Sequence, residues 1–543
     1  MKVTNTTLYN RTKRDRLEAE RRIPRHHVAS REVSAYLPSL DDVEASVPEI
    51  LYSMGVQLLD GRRSRPVEAF LADYDLDLVD VGQVPRGAFD VLGSAYQYLS
   101  TKAESLGKGA FYTGPDIARD LLDGFTFTNG ENVLDPSCGS GVLLLQSDAA
   151  PDQLVGVDDD PVAVMIAKFN YFLKFPDAPP PQIYCDNFFM WSASNRGRRF
   201  DYVVGNPPYG GEVQRSLVSS AFIRSGESFS HFVELGFHML SERGVLRYLL
   251  PAAALNIPRH ADLREFLFDF ANLRRVKRYP QKFSGVMTDV YLVEACRGSH
   301  EDVVFEQGDD HTAVSKSFLT DVMGRILSPW SSADMEILAK AQARGRHTLA
   351  GSVFGLGVVT GDNATKLLSE PGPGTEPIYT GKEVQRYRLA PPKKHLVFDR
   401  ANLQQVAPDA IYRAPEKLVY KVIGIDLRFA LEDTASLTTN SANIVIPRMP
   451  GYEPVTVLAL LNSDLYSFLH RKLFGGVNKI AKANLRRLPF PELTPEERTT
   501  LEFLTRDVLN GGDDAALQDY IHSAIFGLNE FEVAYLREAL AAR

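Results

Sequence analysis

The chain has 543 residues, which is too many for one ordinary hydrophobic core, so we expect two large domains. Its 44% hydrophobic and 24% charged residues are average for a globular protein, and without a run of about 18 apolar residues we expect no transmembrane helix. The N-terminus lacks the apolar core of a secretion signal and the three cysteines lack metal-ligand spacing, so we expect a cytoplasmic protein without disulfides or bound metal.

Charge is distributed unevenly along the chain. The formal net charge of −9 argues against nucleic acid as a partner, yet residues 340–490 hold 21 Lys and Arg against 12 Asp and Glu, a balance of +9. Residues 491–543 hold 4 Lys and Arg against 11 Asp and Glu, and the first 32 residues hold 9 Lys and Arg against 4 Asp and Glu. A basic segment inside an acidic chain is expected of a domain that faces phosphates, and a solvated charged surface is the alternative.

The predicted elements change character along the chain. The first 30 residues are polar and rich in arginine, and the segment AFDVLGSAYQYLSTKAESL predicts an amphipathic helix with Phe89, Leu92, Tyr96 and Leu99 on one face. From about residue 110, apolar runs alternate with helical stretches, which predicts a doubly wound α/β sheet. The seven predicted strands are 132–137, 153–158, 182–187, 201–206, 244–251, 274–280 and 289–296.

Polar stretches mark the expected domain boundaries. A polar segment at 300–330 separates the sheet from a second domain, and the turn at 509–516 precedes a helical tail. We therefore predict an N-terminal helical extension at 1–107, an α/β domain at 108–325, a second domain at 326–508 and a tail at 509–543.

Acidic residues stand where the first three strands end. Asp135 precedes a turn that contains Gly139 and Gly141, and Asp158 and Asp186 follow the next two strands. Ligands of open α/β sheets bind outside the carboxyl ends of the strands, so we expect these groups to meet in one crevice. Carboxylates there can accept hydrogen bonds from the ribose hydroxyls and amino group of an adenosine, whereas helix capping is the ordinary alternative for each one alone. The glycines do not form a dinucleotide fingerprint or a P-loop.

Four segments resemble motifs I to IV of S-adenosylmethionine-dependent N6-adenine DNA methyltransferases: DPSCGSG, GVDDDP, CDNF and GNPPY. FYTGPDIARDLLDGF resembles their motif X, with one glycine inserted in its turn. Motif X precedes motif I, and only 71 positions separate Asp135 from Asn206, which is the order of the gamma, TaqI-like class. The resemblance implies a class I methyltransferase seven-stranded doubly wound sheet, Rossmann-like, and a C-terminal mixed α/β target-recognition domain.

The resemblance also gives a role to Asn206-Pro207-Pro208-Tyr209. An adenine amine is a poor nucleophile because its lone pair is delocalised into the ring. The side-chain oxygen of Asn206 and the carbonyl of Pro207 would accept its two N–H bonds and return electron density to nitrogen, while the prolines fix both acceptors in place. Tyr209 would stack on the base, which must be flipped out of the duplex to reach the site.

The predicted site residues fall into four groups, of which the first three follow from the resemblance. The catalytic residues are Asn206, Pro207 and Tyr209, and the target-base stacking residues are Tyr209 and Phe283. The S-adenosyl-L-methionine-binding residues are Tyr112, Thr113, Asp135, Ser137, Gly139, Gly141, Asp158, Asp186, Asn187, Asn206 and Phe232. The DNA-binding residues, taken from the basic segment, are Arg386, Lys393, Lys394, Arg471, Lys472, Lys479, Lys482 and Arg486.

The expected function is sequence-specific methylation of double-stranded DNA by a monomer in a bacterial or archaeal cytoplasm, at the nucleoid and away from membranes. The expected context is restriction–modification or a related defence system, with a cognate restriction endonuclease acting on the same site as a second partner. The same four-residue turn can serve a protein glutamine or an RNA adenine, and a non-catalytic DNA-binding module is a further alternative. The long basic C-terminal domain favours DNA.

Overall fold

A computed structural model of the chain describes residues 31–87, 90–100, 114–209, 213, 218, 220–279, 289–321, 327, 330–474 and 479–541. The chain divides into two compact units, Met1–Pro329 and Trp330–Arg543, called the first and the second unit below. No helix within these ranges is long and apolar enough to cross a lipid bilayer.

The first unit contains one large sheet and the helices around it. Its strands are β1 (Val133–Asp135), β2 (Leu154–Asp158), β3 (Gln182–Cys185), β4 (Phe200–Gly205), β5 (Leu240–Pro251), β6 (Leu273–Tyr279), β7 (Val290–Cys296), β8 (Asp302–Gln307) and β9 (Asp310–Ser315). Its helices are α1 (Arg31–Tyr36), α2 (Val47–Leu58), α3 (Arg65–Ala72), α4 (Val91–Leu99), α5 (Pro115–Leu122), α6 (Val142–Gln146), α7 (Pro161–Lys174), α8 (Phe188–Ser194), α9 (Ser228–His238), α10 (Ala252–Asn256), α11 (Ala261–Asp269) and α12 (Lys316–Asp321).

The strands of this sheet follow the order β3-β2-β1-β4-β5-β7-β6-β8-β9. The first five are parallel neighbours, and β7 runs antiparallel between β5 and β6. All seven predicted strands are present, so the predicted fold class is confirmed.

The hairpin β8–β9 extends the sheet beyond the prediction, in a stretch interpreted from sequence as a domain boundary. Strand β9 buries alternate residues, β8 buries Val303, Phe305 and Glu306, and Gly308 supplies the positive φ of 61° that the turn requires. The polar residues on the exposed side of this half-buried hairpin explain why the sequence pattern indicated a linker there.

The N-terminal helices share one hydrophobic core with the sheet. Leu51 of α2, Leu92 of α4 and Phe169 of α7 are fully buried members of the same cluster. Gly55 allows this packing, because a Cβ atom there would lie 2.5 Å from Cδ1 of the Phe169 ring. Helix α2 begins at a capping box formed by Ser46 and Glu49, which satisfies its first backbone donors. The N-terminal helices are therefore a built-in layer of the first unit.

The second unit combines small sheets with helices. Its strands are β10 (Gly345–His347), β11 (Val353–Gly355), β12 (Thr375–Tyr379), β13 (Lys394–Val397), β14 (Lys417–Lys421), β15 (Phe429–Glu432), β16 (Leu437–Thr438), β17 (Ala442–Ile446) and β18 (Phe490–Pro491). Its helices are α13 (Ser332–Arg344), α14 (Asn363–Lys366), α15 (Asp409–Tyr412), α16 (Pro454–Leu461), α17 (Asp464–Phe474), α18 (Lys482–Leu485), α19 (Pro495–Leu509), α20 (Ala515–Asp519), a π-helix (Tyr520–Ile525) and α21 (Glu530–Ala541).

The sheets of the second unit are β11-β17-β14-β15, β13-β12-β16 and the pair β10-β18. A core that includes Ile378, Val419 and Ile444 fills the space beside the two larger sheets. Lys417 and Glu432 form an ion pair within this region and are both buried, and Nζ of Lys417 also donates to the carbonyl of Tyr412 at 2.7 Å. This pair fixes the register of β14 against β15, because a one-residue slip would leave two buried charges unpaired.

Candidate active site

Four parallel strands of the first unit deliver polar residues to one edge of the sheet. Strands β3, β2, β1 and β4 are adjacent in that order, so their carboxyl ends lie side by side. Asp135 and Asp158 are the last residues of β1 and β2, and Asp186 and Asn206 lie at the ends of β3 and β4. The parallel topology therefore brings together side chains that are up to 71 positions apart.

These side chains line a cavity of ≈ 320 Å³, within the size range typical of small-molecule sites. The predicted site residues in its wall are Asp135, Ser137, Gly139, Asp158, Asp186, Asn187, Asn206 and Phe232. Gly141 lies outside this wall. It begins α6 at a φ of 80°, and a Cβ atom there would lie 3.3 Å from Cβ of Ala167, so it serves the packing of α6 on α7. Tyr112, Thr113 and Phe283 lie outside the described residues.

Asp135 is the most perturbed carboxyl group of this cavity. It is 1% exposed, and its Oδ1 accepts a hydrogen bond from the backbone of Ser137 at 3.0 Å. Its Oδ2 and the Oγ of Ser137 are buried and have no hydrogen-bond partner among the described residues. Burial raises the pKa of Asp135 to about 8, and the charge of Asp158 adds to the rise. Two orphaned polar atoms in a cavity wall fit a bound ligand that carries hydrogen-bond donors.

Asp158 is held in place by the loop that follows β1. Its Oδ2 accepts from the backbone of Gly139 at 2.8 Å, and its Oδ1 accepts from the backbone of Asp160 at 3.0 Å. Gly139 reaches this position at a φ of 51°, which an L-residue rarely adopts. Burial raises the pKa of Asp158 to about 6 despite these two donors. The glycine therefore orients the second carboxylate of the cavity.

Tyr96 is a cavity residue that the sequence reading did not assign to the site. It lines the wall from α4, and its hydroxyl donates to Oδ2 of Asp160 at 2.6 Å. Asp160 also caps α7 by accepting from the backbone of Val162. The amphipathic pattern places Tyr96 on the apolar face of its helix, and a tyrosine hydroxyl among apolar residues is the available signal of a polar contact.

Asn206 and Pro208 of the Asn-Pro-Pro-Tyr turn line the cavity next to β4. Tyr209 donates its hydroxyl to Oδ1 of Asn206 at 2.7 Å and approaches the carbonyl of Leu249 on β5 at 3.1 Å. Ser228 of α9 donates to the carbonyl of Pro208 at 2.6 Å. Pro207 is buried, and both Pro207 and Tyr209 lie outside the cavity wall. Burial raises the pKa of Tyr209, which keeps its hydroxyl a neutral donor toward the asparagine oxygen.

Three aromatic rings close the cavity on the side of β3. Phe188 and Phe189 begin α8, and their ring centroids lie 5.0 and 5.2 Å from that of Phe232 on α9. All three rings line the cavity. Asn187 orients the pair, because its side chain caps α8 by accepting from the backbone of Phe189. The same wall that holds the carboxylates thus also offers an apolar surface, which suits the flat face of a nucleobase.

The structure divides the eight predicted DNA-binding residues of the second unit into two groups. Three are engaged in intramolecular ion pairs with N–O distances of 2.6 Å: Arg386 with Asp464, Arg471 with Asp426 and Lys472 with Asp334. Five have no carboxylate partner among the described residues: Lys393, Lys394, Lys479, Lys482 and Arg486. The sequence prediction had treated the eight as one set, because a count of charges does not show which charges are already paired.

Two family models match the chain. The model described as N-6 DNA Methylase matches residues 87–234, and the model described as TaqI-like C-terminal specificity domain matches residues 376–490. Over these two segments the chain is similar to N-6 DNA methylases and to the C-terminal specificity domain of TaqI-like enzymes. The first match covers Asp135, Asp158, Asp186 and Asn206 at the edge of the sheet, and the second covers the five cations without a carboxylate partner.

Individual relatives match larger parts of the chain than either family model. The type II methyltransferase M.VspI of a Vibrio species is 25% identical over 316 residues, which are 56% of this chain and 76% of the relative. The type II methyltransferase M.TthHB8I of Thermus thermophilus is 23% identical over 433 residues, 74% of this chain and 95% of the relative. The structure of the type IIL restriction-modification enzyme MmeI in complex with DNA aligns with a TM-score of 0.57 at 11% identity, covering 98% of this chain and 92% of that one.

Proposed function

We propose that this protein transfers the methyl group of S-adenosylmethionine to the N6 amine of a flipped-out adenine in a specific sequence of double-stranded DNA. The observation that carries the proposal is the position of Asn206, which lies in the wall of the same cavity as Asp135, Asp158 and Asp186. An amide acceptor for an amine thus adjoins carboxylates suited to a nucleoside.

The cavity fits the cofactor on the chemistry of its donors and acceptors. Asp158 and Asp186 would accept from the ribose hydroxyls and the adenine amino group, and Oδ2 of Asp135 offers an unused acceptor to an ammonium group. Phe188 and Phe232 would pack on the adenine ring. When bound, S-adenosylmethionine supplies a methyl group on a positively charged sulfur.

The residues of the turn would then position the acceptor base. Oδ1 of Asn206 and the carbonyl of Pro207 accept the two N–H bonds of the target amine and raise its nucleophilicity. Tyr209 restrains the amide of Asn206 through its hydroxyl and offers its ring to the base. The arrangement needs no strong general base, because the amine can lose its proton after it has attacked. The rigid placement of these hydrogen-bond acceptors would therefore account for most of the acceleration of methyl transfer.

The second unit would select the DNA sequence. The match to a specificity domain, and the cations without a carboxylate partner that it contains, support this assignment. The relatives M.VspI and M.TthHB8I are named type II methyltransferases, which supports a role as the modification enzyme of a restriction–modification system. Phosphate contacts would fix the register of the protein on the duplex, and a few side chains would read base edges.

The proposal is tested by incubating the protein with labelled S-adenosylmethionine and a mixture of duplex DNA, RNA and protein, followed by complete digestion. We expect the label in N6-methyldeoxyadenosine. Label in N6-methyladenosine or in methylglutamine instead would replace the DNA assignment with one of the two alternatives. Long-read sequencing of DNA from an expressing host then gives the methylated motif.

A variant separates the amide's role from cofactor binding. Asn206→Ala should abolish transfer, because one acceptor of the target amine is lost, while affinity for S-adenosylhomocysteine stays nearly unchanged. Asn510→Ala, at an exposed asparagine of the second unit, serves as the control and should transfer at the wild-type rate. Transfer by Asn206→Ala at the wild-type rate would contradict the role of the turn.

A further inference from the structure

A short loop of the second unit presents two large apolar side chains to solvent. The loop, residues 422–428, joins β14 to β15, and its ends are anchored: Val422 and Leu427 are buried, and the backbone N–H of Val422 donates to the carbonyl of Ser441 at 3.0 Å. Between these anchors, Ile423 is 56% exposed and Ile425 is 42% exposed. The loop therefore holds two exposed isoleucines between buried residues, and this small apolar patch is a candidate interaction site.

The surroundings of this tip are basic. Its own carboxylate, Asp426, is neutralised by Arg471, whose Nη2 lies 2.6 Å from Oδ1. Ile423 forms an antiparallel bridge with Lys479, so this lysine lies directly beside the tip. Lys482 follows at the start of α18, and both lysines are exposed and have no carboxylate partner among the described residues. The two isoleucines are therefore bordered by the positively charged side chains of Lys479 and Lys482.

This combination fits a DNA groove better than a protein surface. A groove has phosphates on both rims and base edges, including thymine methyl groups, on its floor. Apolar side chains inserted at a base step also unstack it and bend the duplex, which assists a protein that removes a base from the stack. The tip lies within residues 376–490, which match the specificity domain.

We propose that Ile423 and Ile425 insert into a groove of the bound DNA duplex, with Lys479 and Lys482 on the flanking phosphates. The inference rests on the proposed function, because it takes duplex DNA as the substrate. It adds a contact that reads or deforms the bases by apolar insertion.

A tryptophan reporter tests the position of the tip. The native Trp191 and Trp330 are both buried, so a tryptophan introduced by Ile423→Trp would dominate the emission that acrylamide can quench. We expect duplex DNA to lower this quenching several-fold. Phe503→Trp, at a position that is 71% exposed on α19, is the control and should be quenched equally with and without DNA. Unchanged quenching of Ile423→Trp in the DNA complex would overturn the proposal.

Salt dependence separates the apolar contact from the ionic ones. The double variant Ile423→Ser and Ile425→Ser should bind DNA about tenfold more weakly at every salt concentration, with the same slope of log Kd against log salt. The double variant Lys479→Ala and Lys482→Ala should lower that slope by about 2. Unchanged urea midpoints will show that these variants are folded, and wild-type affinity of the serine variant would refute the insertion.

Failure of this inference can be told from failure of the proposed function. If the wild-type chain neither binds nor methylates duplex DNA, the proposed function falls, and the insertion falls with it. If the wild-type chain methylates DNA and the serine variant binds it equally well, only the insertion falls. Shielding of Ile423→Trp without DNA, accompanied by self-association in light scattering, would assign the tip to a protein contact and overturn the proposal.

Discussion

Binding of S-adenosylhomocysteine, the product form of the proposed cofactor, should release about one proton at pH 7. The proton comes from Asp135, whose pKa burial raises to about 8, against about 3.9 for an exposed aspartate. At pH 7 this carboxyl group is therefore about 90% protonated in the free protein. Its Oδ2 has no partner among the described residues, so a ligand donor that reaches it favours the ionised form.

The size of the release follows from two carboxyl groups. Asp135 contributes about 0.9 of a proton at pH 7, and Asp158, with a pKa raised to about 6, contributes about 0.1. The ionised protein binds better, so affinity falls as pH falls below the pKa of the free protein. We expect the dissociation constant to rise by nearly tenfold per unit between pH 7.5 and 6.5. At pH 5 both groups are protonated in the free protein, and the release approaches two protons.

Calorimetry measures this release directly. Titrations with S-adenosylhomocysteine at pH 7 in phosphate and in Tris differ in observed enthalpy by the number of protons times the difference in buffer ionisation enthalpy. The control is Asp135→Asn, which keeps the shape of the side chain and should release only the ~0.1 of a proton from Asp158. Wild-type binding with an enthalpy independent of the buffer would refute the reasoning, because the ligand would then leave Asp135 neutral.

Three further predictions follow from buried contacts. Tyr209→Phe keeps the ring but removes the hydrogen bond from the hydroxyl to Oδ1 of Asn206, so single-turnover transfer should slow by about tenfold while S-adenosylhomocysteine affinity stays within about twofold; a wild-type rate would count against the restraint. Lys417→Ala leaves the buried carboxylate of Glu432 without its cationic partner and should lower the free energy of unfolding in urea by about 3–5 kcal/mol. The double variant Lys417→Met with Glu432→Leu should restore most of this stability, and equal urea midpoints for Lys417→Ala and the wild type would contradict the reasoning. Burial lowers the pKa values of His470 and His522 to about 4, so unfolding takes up protons between pH 6.5 and 4. From pH 7.5 to 5 the wild type should lose about 4 kcal/mol of unfolding free energy relative to His470→Phe with His522→Leu, and a constant difference between the two proteins would rule this out.

The sequence predicted the parts of the site that depend on local pattern. A short apolar run followed by aspartate marks the end of a strand, and this signal located Asp135, Asp158 and Asp186. Parallel connection through helices then requires the strand ends to share one edge, whatever the details of packing. The alternation of strands and helices along the chain was sufficient to predict the sheet. Strands β8 and β9 at its edge were not recognised, because their sequences are polar and show only a weak alternation of apolar and polar residues.

The sequence pattern does not predict contacts that depend on the direction in which a side chain points. The spacing placed Tyr96 on a helix face, but the reach of its hydroxyl to Asp160 depends on how α4 packs on α7. The turn sequence suggested that Asn206 and Tyr209 act on one base, but it did not show that the hydroxyl of Tyr209 also approaches the carbonyl of Leu249 on β5, 40 positions further along the chain. Both contacts need the tertiary arrangement of elements that lie tens of residues apart.

The charge count of the second unit shows the same limit and has a measurable consequence. Each phosphate contact adds about 0.9 to the slope of log Kd against log salt, so eight predicted cations would give a slope near 7. Arg386, Arg471 and Lys472 are already paired with carboxylates, and breaking a partly buried pair to reach a phosphate costs more than it returns. The remaining five cations give a slope of about 4 to 5. Arg386→Ala should therefore lower stability more than it changes the salt dependence of DNA binding, whereas Lys479→Ala should do the reverse.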